Sequence, residues 1–119
     1  MSNVLVVEDN EDIAESLAIA LELDGHVVAT KSDGAAGLLH AAQTVPNVVV
    51  LDVSLPNLSG VELARGIRQM HGDSVHLIAY TANLDEHVIE QLMDAGVEDT
   101  LIKPVAMPTL LAAVRRLAA

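Results

Sequence analysis

Cysteine, tryptophan and phenylalanine do not occur in this chain, and Tyr80 is its only aromatic residue. Without cysteine, disulfides and thiolate metal sites are excluded. Without large aromatics, a core must be assembled from Val, Leu, Ile, Ala and Met. No apolar run approaches the roughly 18 residues of a membrane span. The first residues also lack the basic start and long apolar stretch of a signal peptide. Positive charge is scarce: 6 Lys and Arg stand against 17 Asp and Glu, for a net charge of −11. Such a balance repels phosphate backbones and anionic lipid surfaces, so neither direct nucleic-acid binding nor membrane association is expected. The exclusions leave a cytoplasmic domain as the expectation.

What is present suits one domain spanning 1–119: 119 residues, of which 51 % are apolar. Short runs rich in β-branched residues fall at Val4–Val7, Val27–Thr30, Val48–Leu51, Val75–Ala79 and Thr100–Ile102. They lack polar alternation, as strands buried on both faces do. Between them the apolar spacing is helical. Ile13, Ala14, Leu17, Ala18, Ala20 and Leu21 make one stripe, with Asp12 as cap or first-turn acid and Gly25 beyond its end. Residues 34–43 predict a small Ala/Gly/Leu helix. Ser59 caps a helix that turns Val61, Leu63, Ala64, Ile67 and Met70 inward, and Asp85 caps one that buries Val88, Ile89, Leu92 and Met93 before Gly96. Residues 109–117 supply the last. This (βα)5 alternation predicts an α/β fold, a doubly wound five-stranded parallel sheet of flavodoxin-like order 2-1-3-4-5.

Ligands of such sheets bind beyond the carboxyl ends of the strands, at the point where strand order reverses. The residues expected there are Glu8 and Asp9 after the first strand, Asp52 after the third, Thr81 after the fourth and Lys103 after the fifth. Singly, each has an ordinary explanation as a cap, a turn former or a solvated side chain. Together, three carboxylates facing one lysine leave a charge deficit that a hard divalent ion such as Mg²⁺ would fill. A cation beside a free carboxylate, a hydroxyl and an ammonium makes a phosphoryl-transfer site, with Asp52 as nucleophile.

The segments "VLVVEDN", "VVVLDVSLPNLSG", "IAYTAN" and "GVEDTLIKP" carry a resemblance along the whole chain. It resembles the response-regulator receiver domain of two-component signalling. The resemblance implies that Asp9 ligates Mg²⁺ directly and Glu8 through water, with Asp52 and the carbonyl of Ser54 as further ligands. It also implies that Asp52 takes a phosphoryl group from a sensor histidine kinase or histidine phosphotransfer domain. Thr81 and Lys103 would bind that group, and Lys103–Pro104 matches the family's cis peptide. A downstream effector or a second copy would dock on the fourth helix, fifth strand and fifth helix. The domain stands alone or belongs to a hybrid histidine kinase or longer regulator, and is not an enzyme beyond its own phosphorylation and dephosphorylation. Asn83 and Ser54 are expected to tune water access. Thr100 departs from the pattern, because the family's usual aromatic at that place swings inward when the hydroxyl moves. Val105 and Leu55 replace the frequent Phe and Met. Tyr80, in the opposite pleat direction to Thr81, is no evident substitute.

Other functions fit less well. A pseudo-receiver acting through contacts alone shares the fold; the acid pair Glu8 and Asp9, Asp52 and Lys103 oppose it, while Thr100 leaves it open. An aspartate-nucleophile phosphohydrolase needs an acid where Ser54 stands. A flavodoxin-like cofactor binder needs a Ser/Thr/Gly loop where "EDNED" stands. The five histidines show no ligand spacing and are expected at surface or boundary positions.

Overall fold

The apolar runs become β1 (Asn3–Val7), β2 (Val27–Lys31), β3 (Val48–Asp52), β4 (His76–Thr81) and β5 (Asp99–Ile102). They pair in parallel in the order β2-β1-β3-β4-β5, as expected. The structure, a computed structural model, describes residues 2–82 and 85–118. Helices α1 (Glu11–Leu23), α2 (Gly34–Gln43), α3 (Gly60–His71), α4 (Glu86–Asp94) and α5 (Met107–Ala118) connect and follow the strands. None of the described helices is long and apolar enough to cross a membrane.

Strand alternation sorts the core into two layers. Leu5, Val7, Val49, Leu51, Leu77 and Ala79 pack with α2, α3 and α4 on one face. Val4, Val6, Val48, Val50, Ile78 and Tyr80 pack with α1 and α5 on the other. Burial on both faces therefore holds for β1, β3 and β4 but not for β2 and β5. Those two are the edges of the sheet and remain half-exposed, because only one flank of each is paired.

Capping follows the chemistry of the first turns. Ser59 and Asp85 cap α3 and α4 as expected, their side chains accepting from the N–H of Glu62 and His87. For α1 the cap is Asn10, whose Oδ1 accepts from the N–H of Asp12 at 3.0 Å and of Ile13 at 3.2 Å. Asp12 instead sits in the first turn, where an acid suits the helix dipole. Asp33 caps α2. Helix α5 begins two residues earlier than its apolar spacing indicates, with Pro108 tolerated in the first turn. Ile13, Met70 and Met93 were expected inward but lie 40 %, 42 % and 68 % exposed. The sheet covers a narrower stripe of each helix than the apolar pattern marks.

Candidate functional site

Helices α1 and α3, which follow the adjacent strands β1 and β3, lie on opposite faces of the sheet. That divergence opens the crevice at the carboxyl ends of β1 and β3, and the predicted residues meet there. Glu8 (2 % exposed) and the exposed Asp9 follow β1, and Asp52 (3 % exposed) ends β3. One carboxylate oxygen from each of the three lies within 4.8 Å of the other two. Lys103, just past β5, brings Nζ to 2.8 Å from Asp52 Oδ2 and 4.0 Å from Glu8 Oε1. Thr81 closes the row as a buried residue at the end of β4. The N–H of Ser54 donates to Asp52 Oδ1 at 3.1 Å. The Lys103–Pro104 peptide is cis.

Asn83 lies outside the described residues. Thr100 is half-buried on β5, paired with Ala79. All five histidines are half-buried or exposed, as expected, and none belongs to the acidic cluster. His71 and His76 find structural partners instead, the carbonyl of Ala41 and the carboxylate of Glu98.

Two carboxylates about 5 Å apart repel by about 1 kcal/mol in water and about 3 kcal/mol at an effective dielectric of 20. One ammonium group does not offset three such charges. The cluster offers only hard oxygen donors, converging from two adjacent strand ends with a solvent-exposed member in Asp9. That donor set suits a small, hard, partly hydrated divalent cation such as Mg²⁺ and not a thiolate- or imidazole-preferring metal.

The sequence reading missed one participant. The hydroxyl of Tyr80, a residue only 2 % exposed, donates to Glu8 Oε1 at 2.7 Å. The other oxygen of Glu8 accepts the N–H of Asn10 at 3.0 Å. Lys103 Nζ stands 5.1 Å from the centre of the Tyr80 ring, within cation–π range. Tyr80 is the register partner of Asp52 and so shares its side of the sheet, a relation that the periodicity of a single strand does not carry.

Burial raises the Glu8 carboxyl above its ordinary 4.5, and Asp9 and Asp52 push it the same way, while Asn10 and Tyr80 partly oppose them. A raised folded-state value means that Glu8 favours folding below about 4.5 and that this contribution fades as pH rises through the raised value. Glu8→Gln should therefore be more stable than wild type in EDTA at neutral pH, with the difference closing under acid conditions. Thermal unfolding in EDTA over that pH range checks this. A difference independent of pH would contradict the burial argument. Burial also keeps the Tyr80 hydroxyl protonated, its acidity suppressed further by Glu8.

The loop after β3 is tied down from below. Asn57 adopts φ 67°, a left-handed conformation that Asn tolerates better than most residues. Its Nδ2 donates to Asp33 Oδ2 at 3.1 Å, while the N–H of Gly34 donates to the carbonyl of Pro56. Gly60 opens α3 so close to β3 that a Cβ there would lie 2.4 Å from the carbonyl oxygen of Asp52.

Known proteins share this fold. The response regulator receiver domain family matches residues 4–115. The transcriptional regulatory protein PrrA of Mycobacterium leprae is 37 % identical over 96 % of this chain and 48 % of its own length. The response regulator MprA of a Mycobacterium species is 39 % identical over 96 % of this chain and 49 % of its own. The chain thus spans about half the length of these curated relatives. Among solved structures, a response regulator receiver domain protein of Clostridium thermocellum superposes with a TM-score of 0.92 at 28 % identity, covering 99 % of this chain and 94 % of that one. The receiver domain of a sensor histidine kinase of Pseudomonas aeruginosa superposes at 0.89 with 30 % identity, over 98 % and 97 % of the two chains, and holds a magnesium ion in its active-site cleft. By its strand order, its crowded strand ends and a family match from the first strand into the last helix, this chain belongs to the response regulator receiver domains of two-component systems.

Proposed function

We propose that this chain is a single receiver domain over residues 1–119 that accepts a phosphoryl group on Asp52 from a phosphohistidine of a sensor histidine kinase or phosphotransfer domain, in a Mg²⁺-dependent step. The observation that carries the reading is the buried Asp52 carboxylate, with two further carboxylates within 4.8 Å and the Lys103 ammonium at 2.8 Å. In the transfer, an Asp52 oxygen forms a bond to phosphorus while the bond from phosphorus to the donor imidazole nitrogen breaks, leaving that nitrogen with the electron pair. Lys103 and Thr81 would bond the phosphoryl oxygens. Asp9, Asp52 and the carbonyl of Ser54 would hold the cation, with Glu8 acting through water. When bound, Mg²⁺ would neutralise the carboxylates and attract the phosphoryl oxygens.

The domain is regulatory, and its chemistry ends with its own phosphorylation and hydrolysis. Thr100 and Asn83 modulate these steps, the first through packing beside Ala79. The net charge of −11 supports protein partners over direct nucleic-acid contact. The face of α4, β5 and α5, where Met93 and Ile102 lie exposed, would receive an effector or a second copy.

Incubation with Mg²⁺ and acetyl phosphate, followed by intact mass, tests the reading. One phosphoryl group per chain is expected, and none in EDTA. Continuous turnover of acetyl phosphate would favour a hydrolase. A chain that gains no mass would act by contacts alone.

A further inference from the structure

We propose that Tyr80 is a positioning residue of the acid site, its hydroxyl fixing the Glu8 carboxylate and its ring steadying Lys103, so that divalent-cation affinity depends on it. The inference rests on the Mg²⁺ reading above and deepens it. It concerns a tyrosine at a place where neither composition nor helical periodicity demands one.

Glu8 is almost fully enclosed, and neither of its oxygens is free to choose a partner: one accepts from Tyr80 at 2.7 Å, the other from the Asn10 N–H at 3.0 Å. A glutamate side chain otherwise carries appreciable rotamer freedom, which a cation would have to quench on binding. Here the protein has already quenched it. The partner group is well suited to the task. The phenol is buried, and its O–H donates to the carboxylate it faces. The ring holds the second function. Lys103 Nζ approaches its centre at 5.1 Å while reaching Asp52 Oδ2 at 2.8 Å, so the aromatic face and the carboxylate fix the ammonium from two sides. One side chain thereby ties β4 to the acids of β1 and to the lysine beyond β5.

A buried tyrosine that only satisfies its own hydroxyl would make the same hydrogen bond. The two roles separate in cation binding. Under the structural role, Tyr80→Phe lowers stability and leaves Mg²⁺ affinity alone. Under the positioning role, removing the hydroxyl weakens Mg²⁺ binding, and only while Glu8 is a carboxylate.

Calorimetric titration of Mg²⁺ into wild type, Tyr80→Phe, Glu8→Gln and the double variant distinguishes them. Tyr80→Phe is expected to weaken binding roughly tenfold, the range for residues that orient ligands from behind. Adding it to Glu8→Gln should change the affinity by less than about twofold, because the two act as one unit. A Tyr80→Phe affinity equal to wild type, or an equal loss in both backgrounds, overturns the proposal while leaving the receiver reading intact. Wild type that takes up no Mg²⁺ overturns both. A second measurement needs no variant. Tyr80 is the only aromatic residue, so intrinsic emission reports on it alone and should change along the same titration curve. Emission indifferent to Mg²⁺ at saturation also overturns the proposal.

Discussion

Asp52→Asn is expected to gain no phosphoryl group from acetyl phosphate and Mg²⁺ under conditions that label wild type fully. Asparagine has the shape of aspartate and can still accept the Ser54 N–H that Asp52 Oδ1 receives at 3.1 Å, so the loop after β3 keeps its anchor. What vanishes is the nucleophile. Lys103 loses its partner at 2.8 Å but keeps an acidic neighbour in Glu8 Oε1 at 4.0 Å. The other two acids are poor replacements. Glu8 has both oxygens committed to Tyr80 and Asn10, and Asp9 is exposed to water. The labelling rate should drop by at least about a thousandfold, equivalent to about 4 kcal/mol of barrier. Intact mass over time, with peptide mapping of any residual label, checks this. Labelling of Asp9 at a comparable rate would mean that the cluster, and not the place of Asp52 at the end of β3, selects the nucleophile.

The acids were legible because their positions follow from a simple rule: a buried parallel strand is an uninterrupted apolar run, so the first polar residue marks its carboxyl end. Val4–Val7 and Val48–Leu51 therefore delivered Glu8, Asp9 and Asp52 to one crevice once strand order was inferred. Tyr80 was not legible by the same route. Its phase relative to its neighbour Thr81 does not reveal the contact, because the informative relation runs across strands. The register pairs Asp52 with Tyr80, and the face that carries Val4, Val6, Val48, Val50 and Ile78 also carries Tyr80. Glu8 and Asp52 continue that same alternation by two residues. A tyrosine long enough to reach past the strand end must then meet Glu8. Register is a tertiary property, set by how strands slide against each other, and the periodicity of one strand does not contain it. The exposed Met70 and Met93 have a related cause. Helical spacing identifies the apolar side of α3 and α4, whereas the width of the covered stripe depends on what lies beneath.

The acid site also depends on a contact that excludes even one carbon atom. Gly60 begins α3, its N–H donating to the carbonyl of Val53 at 2.9 Å. A Cβ at this position would stand 2.4 Å from the carbonyl oxygen of Asp52 and 2.7 Å from Cα of Val53. Both are backbone atoms of the segment that carries the nucleophile, so no rotamer change relieves the overlap. Gly60→Ala should destabilise the protein by about 3 kcal/mol, the upper range for overpacking a close contact, and should lower its melting temperature by roughly 15 °C. Gly66, in the same helix, provides the comparison. Its added Cβ would meet Cδ1 of Leu38 at 2.8 Å, the far end of a flexible side chain, while alanine gains up to about 1 kcal/mol of helix propensity over glycine. Gly66→Ala should therefore stay within about 1 kcal/mol of wild type, since those two terms oppose each other. Denaturant unfolding of both variants measures the contrast, and labelling of Gly60→Ala well below its melting point measures what the displaced backbone does to Asp52. Slower phosphorylation in a folded Gly60→Ala protein would show that α3 sets the position of the nucleophile through bare backbone contact. Stability and labelling both equal to wild type would mean that β3 holds Asp52 in place without it.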